Sequence, residues 1–380
     1  MKLQVVHTIH FPVSAKSFVM PLVAHLNSNG IPTELWLAYN HKHMEVIQDI
    51  NVPKRLLKFD FTFNPIKFMV RLSNIRKAIR SIRPNVLHAH QTKSSLIPLL
   101  AAYLEKVPIR IYHNHGLPYL GYKGLMRKLL LLLEKINVFL SNKVILVSHS
   151  NMTAAINDGL INIGEATVLG NGSAAGIDLS DYKLELFTKT RKNILRKKYE
   201  IDEQAFVLAY VGRPKKRKGF HLLLNAWDKS SLGENGNLLL IAGCTDDDCM
   251  KVSTRKIVGV RALGYLSELK DIYSVCDAVV LPSFHEGFGY VLLEGAAAAR
   301  PLIGSDIPGI RCAIINNYNG ILIPANDEDA LVKAISMLAA DEELRIMLGN
   351  NARTLVENEF NREVVLSALF EYYKKLKCRI

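Results

Sequence analysis

Short apolar runs alternate along the whole chain with longer segments whose apolar residues recur at helical spacing. In the first half the runs are Gln4 to Ile9, Thr33 to Ala38, Val86 to Ala89, Ile109 to Asn114 and Val144 to Val147. They resume at Phe206 to Val211, Leu238 to Ala242, Ala278 to Leu281 and Leu302 to Gly304. Such runs, separated by helical stretches, predict strands buried on both faces and joined by helical crossovers. Each half therefore reads as an α/β domain, a parallel sheet with helices on both sides. The small-residue stretch Gly170 to Gly176 ends the first pattern, and the basic, helix-prone segment Lys189 to Tyr199 opens the second. We expect domains at 1–168 and 169–362, with 363–380 a helix returning to the first. Doubly wound sheets bind ligands at the carboxyl ends of their strands, and a cleft between two such domains is the expected site.

Length and composition agree with this division. A chain of 380 residues suits two domains, and 49 % apolar with 22 % charged residues is globular. No apolar run approaches the roughly 18 residues of a membrane span; the longest candidate, Leu129 to Leu140, is broken by Glu134, Lys135 and Asn137. The amino terminus enters a strand directly, without a signal peptide's apolar region, which predicts a cytoplasmic chain. Five scattered cysteines, Cys244, Cys249, Cys276, Cys312 and Cys378, form no metal-binding spacing, and their odd number argues against a disulfide framework.

The net charge of +13 becomes informative when it is located. Residues 1–165 hold 20 Lys and Arg against 8 Asp and Glu, so nearly all of the excess belongs to the first domain. An anionic partner follows: phospholipid head groups, a lipid-linked pyrophosphate or nucleic acid. Within this half, Phe68, Leu72, Ile75, Ile79 and Ile82 fall on one helical face, with Lys67, Arg71, Arg76, Lys77, Arg80 and Arg83 elsewhere. The segment reads either as a sheet-covering helix with a solvated basic face or as one that also meets an acidic membrane surface.

The most informative segment is Pro282-Ser283-Phe284-His285-Glu286-Gly287-Phe288-Gly289-Tyr290-Val291-Leu292-Leu293-Glu294. It places two carboxylates eight residues apart across a glycine-rich exit from the strand Ala278 to Leu281 into a helix from Tyr290 to Ala299. Glu286 falls at the helix mouth and Glu294 up to about 12 Å further along. A sugar nucleotide fits that layout, with the first-turn N–H groups toward its phosphates. Glu294 lies among Leu292, Leu293, Gly295 and Ala296, where a carboxylate needs a partner, and ribose hydroxyls would supply one. A second element, Gly212-Arg213-Pro214-Lys215-Lys216-Arg217-Lys218-Gly219, follows the strand ending at Val211. A cationic loop at that end of a strand is suited to gripping a pyrophosphate.

Taken with Leu263-Gly264-Tyr265, Cys276-Asp277-Ala278 and Asn319-Gly320, these motifs resemble the retaining glycosyltransferases of family 4, across nearly the whole chain. The resemblance implies the GT-B architecture, two Rossmann-like domains facing across a deep cleft. It implies a second domain that holds a nucleotide sugar, with Arg213 and Lys218 at the pyrophosphate, Glu294 at the ribose, and Glu286, Gly287, Phe288 and Gly289 at the sugar beside Gly212. His115, after the strand Ile109 to Asn114, matches an active-site histidine of the family. Similar chains serve capsule, O-antigen, lipopolysaccharide and other glycan assembly. The implied reaction moves a hexose or N-acetylhexosamine, more readily from UDP, to a lipid-linked or oligosaccharide acceptor with retention. It needs no cofactor and no metal.

Where family members carry a Gly-Gly turn close to the acceptor, this chain has Phe11 to Ser17 and departs from the pattern; Ser14, Lys16, His90 and Lys93 are the acceptor-binding candidates. Lys16 would offer a cation to a phosphate. The pairs His88/His90 and His113/His115 share strand faces, but no acidic cluster accompanies them. Asp246-Asp247-Asp248 reads as a solvated loop, and Gly170-x-Gly172-x-x-Ala175 opens no helix that would bind a dinucleotide. A UDP-sugar 2-epimerase of the same fold is the alternative activity, although more catalytic acids would be expected of it. A nucleic-acid-binding protein would account for the charge but not for Glu294. The expected location is peripheral, at the inner face of the cell membrane.

Overall fold

The computed structural model of the protein describes residues 3–39, 43–253, 255–266 and 268–377. They form two compact units: one runs through Gly176 and takes up the chain again from Arg362, and the other spans Ile177–Asn361. The first is built on a parallel sheet of β1 (Val5–Ile9), β2 (Thr33–Ala38), β3 (Lys54–Leu57), β4 (Val86–His90), β5 (Ile109–Asn114), β6 (Lys143–Leu146) and β7 (Ala166–Val168), in the order β3-β2-β1-β4-β5-β6-β7. The second sheet is also parallel and contains β8 (Val207–Val211), β9 (Leu238–Ala242), β10 (Val260–Ala262), β11 (Ala278–Leu281), β12 (Leu302–Ser305) and β13 (Gly320–Ile323), in the order β10-β9-β8-β11-β12-β13.

In both sheets the strand order reverses beside the first strand, between β1 and β4 and between β8 and β11. Crossovers leave these two strands in opposite directions, so their exit loops splay apart and leave room for a ligand. The basic loop follows β8 and the glutamate-bearing turn follows β11, so the topology brings the two sequence motifs together. The expected strands are present with shifts of a residue or two. The sequence pattern missed β3, β7, β10 and β13. All four are the outermost strands of their sheets and only partly buried; β3, β7 and β10 are too short or too polar to present an apolar run, whereas β13 is an apolar Gly-Ile-Leu-Ile that the pattern passed over.

The division falls after Gly176, eight residues beyond the expected 168. The small-residue stretch is held to the first sheet, where Ser173 N donates to Val147 O at 2.7 Å. At the other end the first unit resumes at Arg362. The helix Arg362–Lys377 sends Leu366, Leu369, Tyr373 and Leu376 into a core with Val5, Leu22, Leu26, Val86 and Ile111.

In the second unit Asp277 fastens the helix Lys189–Lys198 to the sheet. Its carboxylate accepts from Val207 N at 2.7 Å, from the buried Arg196 guanidinium at 2.7 Å, and from Lys192. The two cations hold this buried carboxyl below the usual carboxylate range despite its desolvation. The four described cysteines are free thiols, and Cys378 lies outside the described residues.

Candidate functional site

The exits of β8 and β11 are stitched together by backbone. Lys216–Lys218 forms a single 3₁₀ turn that ends at Gly219, whose φ of +70° is left-handed. A Cβ there would lie 1.9 Å from Pro282 O, so only glycine lets the basic turn approach the β11 exit this closely. Phe284 N then donates to Arg217 O at 2.8 Å. From the β12 exit, Gly309 (φ +87°) closes on the same turn. A side chain at Gly309 would meet Glu286 O at 2.6 Å, and Gly309 O accepts from Gly289 N at 2.9 Å.

Within this frame Glu286 is 8 % exposed. Its Oε1 accepts from Lys218 Nζ and from Ser283 Oγ, both at 2.6 Å. The structure therefore brings Glu286 and Lys218, separate roles in the sequence reading, into one ion pair. Ser283, whose part the motif alone does not reveal, orients the carboxylate. Arg213 is exposed, and among the described residues its guanidinium has no hydrogen-bond or ion-pair partner, so it is available to an anion. Its carbonyl accepts from Tyr210 Oη at 3.2 Å, which fixes the loop just past Gly212.

The helix after the turn spans Tyr290–Ala297, two residues shorter than expected because Ala298 already leaves helical geometry. Gly289 N and Tyr290 N are both taken by backbone carbonyls, so the anion grip of the first turn is narrower than the sequence implied. Half-buried Glu294 has a protein partner that the sequence reading did not foresee. Tyr273 Oη donates to its Oε2 at 2.7 Å, while burial pushes the carboxyl above its ordinary value. Among the described residues Oε1 has no partner, which leaves one carboxylate oxygen for a diol.

The acidic run Asp246–Asp248 is not a loop. It forms the exposed first turn of a short helix, with Thr245 and Asp248 bonded reciprocally as a capping box. Asp248 also pairs with Lys251 at 3.1 Å, and Asp246 and Asp247 are exposed in the same turn.

In the first unit the candidates separate. Ser14 ends a helical turn after β1, and Lys16 forms an exposed ion pair with Asp49 at 2.8 Å rather than standing free for a phosphate. Lys93 is exposed near the start of the helix Thr92–Leu104. His90 is fully buried, and His7 and His115 occupy both of its ring nitrogens, so it cannot reach an acceptor directly. His115 is partly exposed after β5. Its loop is held from beneath: Gly116 N donates to Asn114 Oδ1 at 2.8 Å, and Asn114 Nδ2 donates to Glu134 Oε2 at 3.0 Å. Glu134, on the helix Gly124–Leu140, also accepts from Thr92 Oγ1 and Tyr112 Oη at 2.5 Å each. Burial pushes its carboxyl up to about 7 against these three donors.

Two family patterns cover most of the chain: that of Glycosyl transferases group 1 matches residues 191–355, and that of Glycosyl transferase 4-like matches residues 7–150. The Staphylococcus aureus capsular polysaccharide biosynthesis glycosyltransferase CapM is 31 % identical over 77 % of each chain. The Campylobacter jejuni N,N'-diacetylbacillosaminyl-diphospho-undecaprenol alpha-1,3-N-acetylgalactosaminyltransferase is 25 % identical over 90 % of this chain and 91 % of its own. Among solved structures, Anabaena HepE in complex with UDP superposes with a TM-score of 0.80 over 99 % of this chain and 100 % of that one, at 17 % identity. At that identity the likeness establishes a shared GT-B fold of two Rossmann-like units.

Proposed function

The chain belongs to the group 1 glycosyltransferases, and on that footing we propose that it moves a hexose or N-acetylhexosamine from a UDP-sugar to a lipid-linked saccharide, with retention at the anomeric carbon. The observation that carries the donor half is the Lys218–Glu286 pair at the splayed exits of β8 and β11, in the loop that also bears Arg213, which has no partner among the described residues. Arg213 and Lys218 meet the diphosphate, Glu294 Oε1 takes a ribose hydroxyl, and Glu286 with the Gly287–Gly289 turn meets the sugar. Growing charge on the leaving diphosphate is then met by fixed cations, which supplies the stabilisation that a metal would otherwise give. A double displacement would need a carboxylate nucleophile at the sugar's opposite face. Glu286 is tied to Lys218 and Ser283, which favours front-face transfer with the acceptor proton leaving on the diphosphate. In this reading His115 of the first unit serves a substrate hydroxyl.

A lipid-linked acceptor is supported by what the Campylobacter relative's name says it uses, and by the outer surface of the first unit. The helix Gly124–Leu140 buries Glu134 and Asn137 together with Leu130 and Leu140, while Leu125, Met126, Leu129, Leu132 and Phe139 are about half to three-quarters exposed. On the helix Pro65–Ile82, Ile66, Met69 and Val70 are likewise exposed on an element carrying Lys67, Arg71, Arg76, Lys77 and Arg80. Apolar side chains flanked by cations fit the interface of an anionic bilayer. Leu129→Glu with Phe139→Glu is expected to abolish cosedimentation with vesicles containing anionic lipid while leaving the circular dichroism unchanged; undiminished cosedimentation would remove this surface from the proposal.

Transfer itself is tested by supplying UDP- and GDP-sugars with a polyprenyl-diphosphate monosaccharide and reading the new anomeric centre by NMR. An α-linked product from an α-linked UDP donor supports retention, and an inverted product contradicts it. Isomerised UDP-sugar in the absence of acceptor would point instead to an epimerase.

A further inference from the structure

The histidines of the first unit form an ordered line of which the transfer reading uses only the end, His115. β1, β4 and β5 are neighbours in register, His7 opposite His88 and His90 opposite His113, so the four rings fall on one face of the sheet. Tyr373 of the last helix packs against that face. The polar atoms connect end to end. His88 Nδ1 lies 2.7 Å from Tyr373 Oη, which lies 3.3 Å from His7 Nε2. His7 Nδ1 is 2.8 Å from His90 Nε2, and His90 Nδ1 is 2.9 Å from His115 Nε2. Four of these five residues are fully buried, and His115 at the end is partly exposed.

We propose that Tyr373 is a positioning residue which, through His7 and His90, holds His115 in the tautomer protonated on Nε2, so that Nδ1 accepts a hydrogen bond from a substrate hydroxyl. A neutral imidazole has one N–H and one lone pair, so a choice made at one end of such a chain is passed to the other. Burial keeps the rings neutral, lowering His7 to about 3 and His115 to about 4, with His88 and His90 well below their ordinary value. The phenol sets the direction. It is the stronger acid, and 2.7 Å is the usual length of an O–H donor bond, whereas 3.3 Å suits a weak N–H···O contact. Tyr373 therefore donates to His88 Nδ1 and accepts from His7 Nε2–H. His7 Nδ1 is left to accept from His90 Nε2–H, and His90 Nδ1 to accept from His115 Nε2–H.

The same rings come close enough to suggest a cation site, as His7/His88/His90 or as His90/His113/His115. The geometry favours the chain. The nitrogens engage in pairs, and the His88 and His90 rings stack 4.4 Å apart at 12°, so their lone pairs lie in parallel planes instead of converging. Among the described residues, His88 Nε2 and both His113 nitrogens are buried without partners, which a core built only for packing would avoid.

The inference rests on His115 serving a substrate hydroxyl, but the tautomer is measurable without that premise. Long-range ¹H–¹⁵N correlations of the ¹⁵N-histidine-labelled full chain should place the His115 proton on Nε2. In Tyr373→Phe, which keeps the ring and removes the hydroxyl, His115 should become a mixture of tautomers. Turnover should fall about tenfold with donor KM nearly unchanged, and adding Tyr373→Phe to His115→Ala should cost nothing further. A wild-type His115 protonated on Nδ1, an unaltered tautomer in Tyr373→Phe, or one equivalent of zinc in the purified protein would each overturn the proposal. The wild-type measurement stands even where the variant does not fold. A shifted tautomer together with normal turnover of His115→Ala would leave the chain standing and remove His115 from the substrate.

Discussion

Lys218→Met is expected to lower turnover by about 10²-fold or more and also to destabilise the second unit by about 3 kcal/mol. The two effects have different origins. The turnover loss follows from removing a fixed cation from the leaving diphosphate, where preorganised charge acts most strongly. The stability loss follows from leaving Glu286, 8 % exposed, with the Ser283 hydroxyl but, among the described residues, no countercharge. Adding Glu286→Gln should therefore restore most of the stability, because an amide needs no cation, and should restore none of the turnover. Urea unfolding and initial rates on the two variants separate these terms. Recovery of both in the double variant would mean that Lys218 serves only to neutralise Glu286.

Glu134→Gln should change the pH dependence of stability by about 2 to 4 kcal/mol between pH 4.5 and 8. Burial raises the folded-state carboxyl from 4.5 to about 7, so the folded chain holds a proton there that the unfolded chain has released. For a raised acid the sign is fixed: its stabilising contribution is complete below the unfolded value and is lost as pH rises through the folded one. The wild type should thus lose stability relative to Glu134→Gln across that window, and the difference should level off above pH 8. Melting temperatures of the two proteins measured in parallel cancel the other carboxylates. A constant gap between them would show that Glu134 is ionised in the fold throughout. Turnover should follow stability only weakly, since Asn114 keeps its bond to Gly116 N in either case.

Much of the candidate site in the second unit was legible in the sequence because its motifs are local. The eight-residue spacing from Glu286 to Glu294, the glycines around the turn, and the cations after β8 are each fixed within a dozen residues of chain. What the sequence hid depends on partners far away or on faces. Tyr273 bonds Glu294 across 21 residues and Tyr373 reaches His88 across 285, and no spacing rule connects them. His7 belongs to the histidine line only because β1 pairs with β4 in the register that sets it opposite His88. The run Leu129 to Leu140 looked like an apolar segment spoiled by Glu134 and Asn137. In the fold these polar residues share the buried face with Leu130 and Leu140, while Leu129, Leu132 and Phe139 are exposed. Lys16 read as a spare cation because Asp49, its partner, lies 33 residues away.

The central claim is that two side-chain cations, without a metal, grip the diphosphate of a uridine nucleotide at the exits of β8 and β11. Calorimetric titration of UDP into the wild-type chain and into Arg213→Ala, both in EDTA, tests it directly. The wild type should bind saturably with no weakening by EDTA, and Arg213→Ala should lose about 1.5 to 3 kcal/mol, as for a hydrogen bond to a charged group. Binding that appears only with added divalent metal, or that is equal in the two proteins, would contradict it.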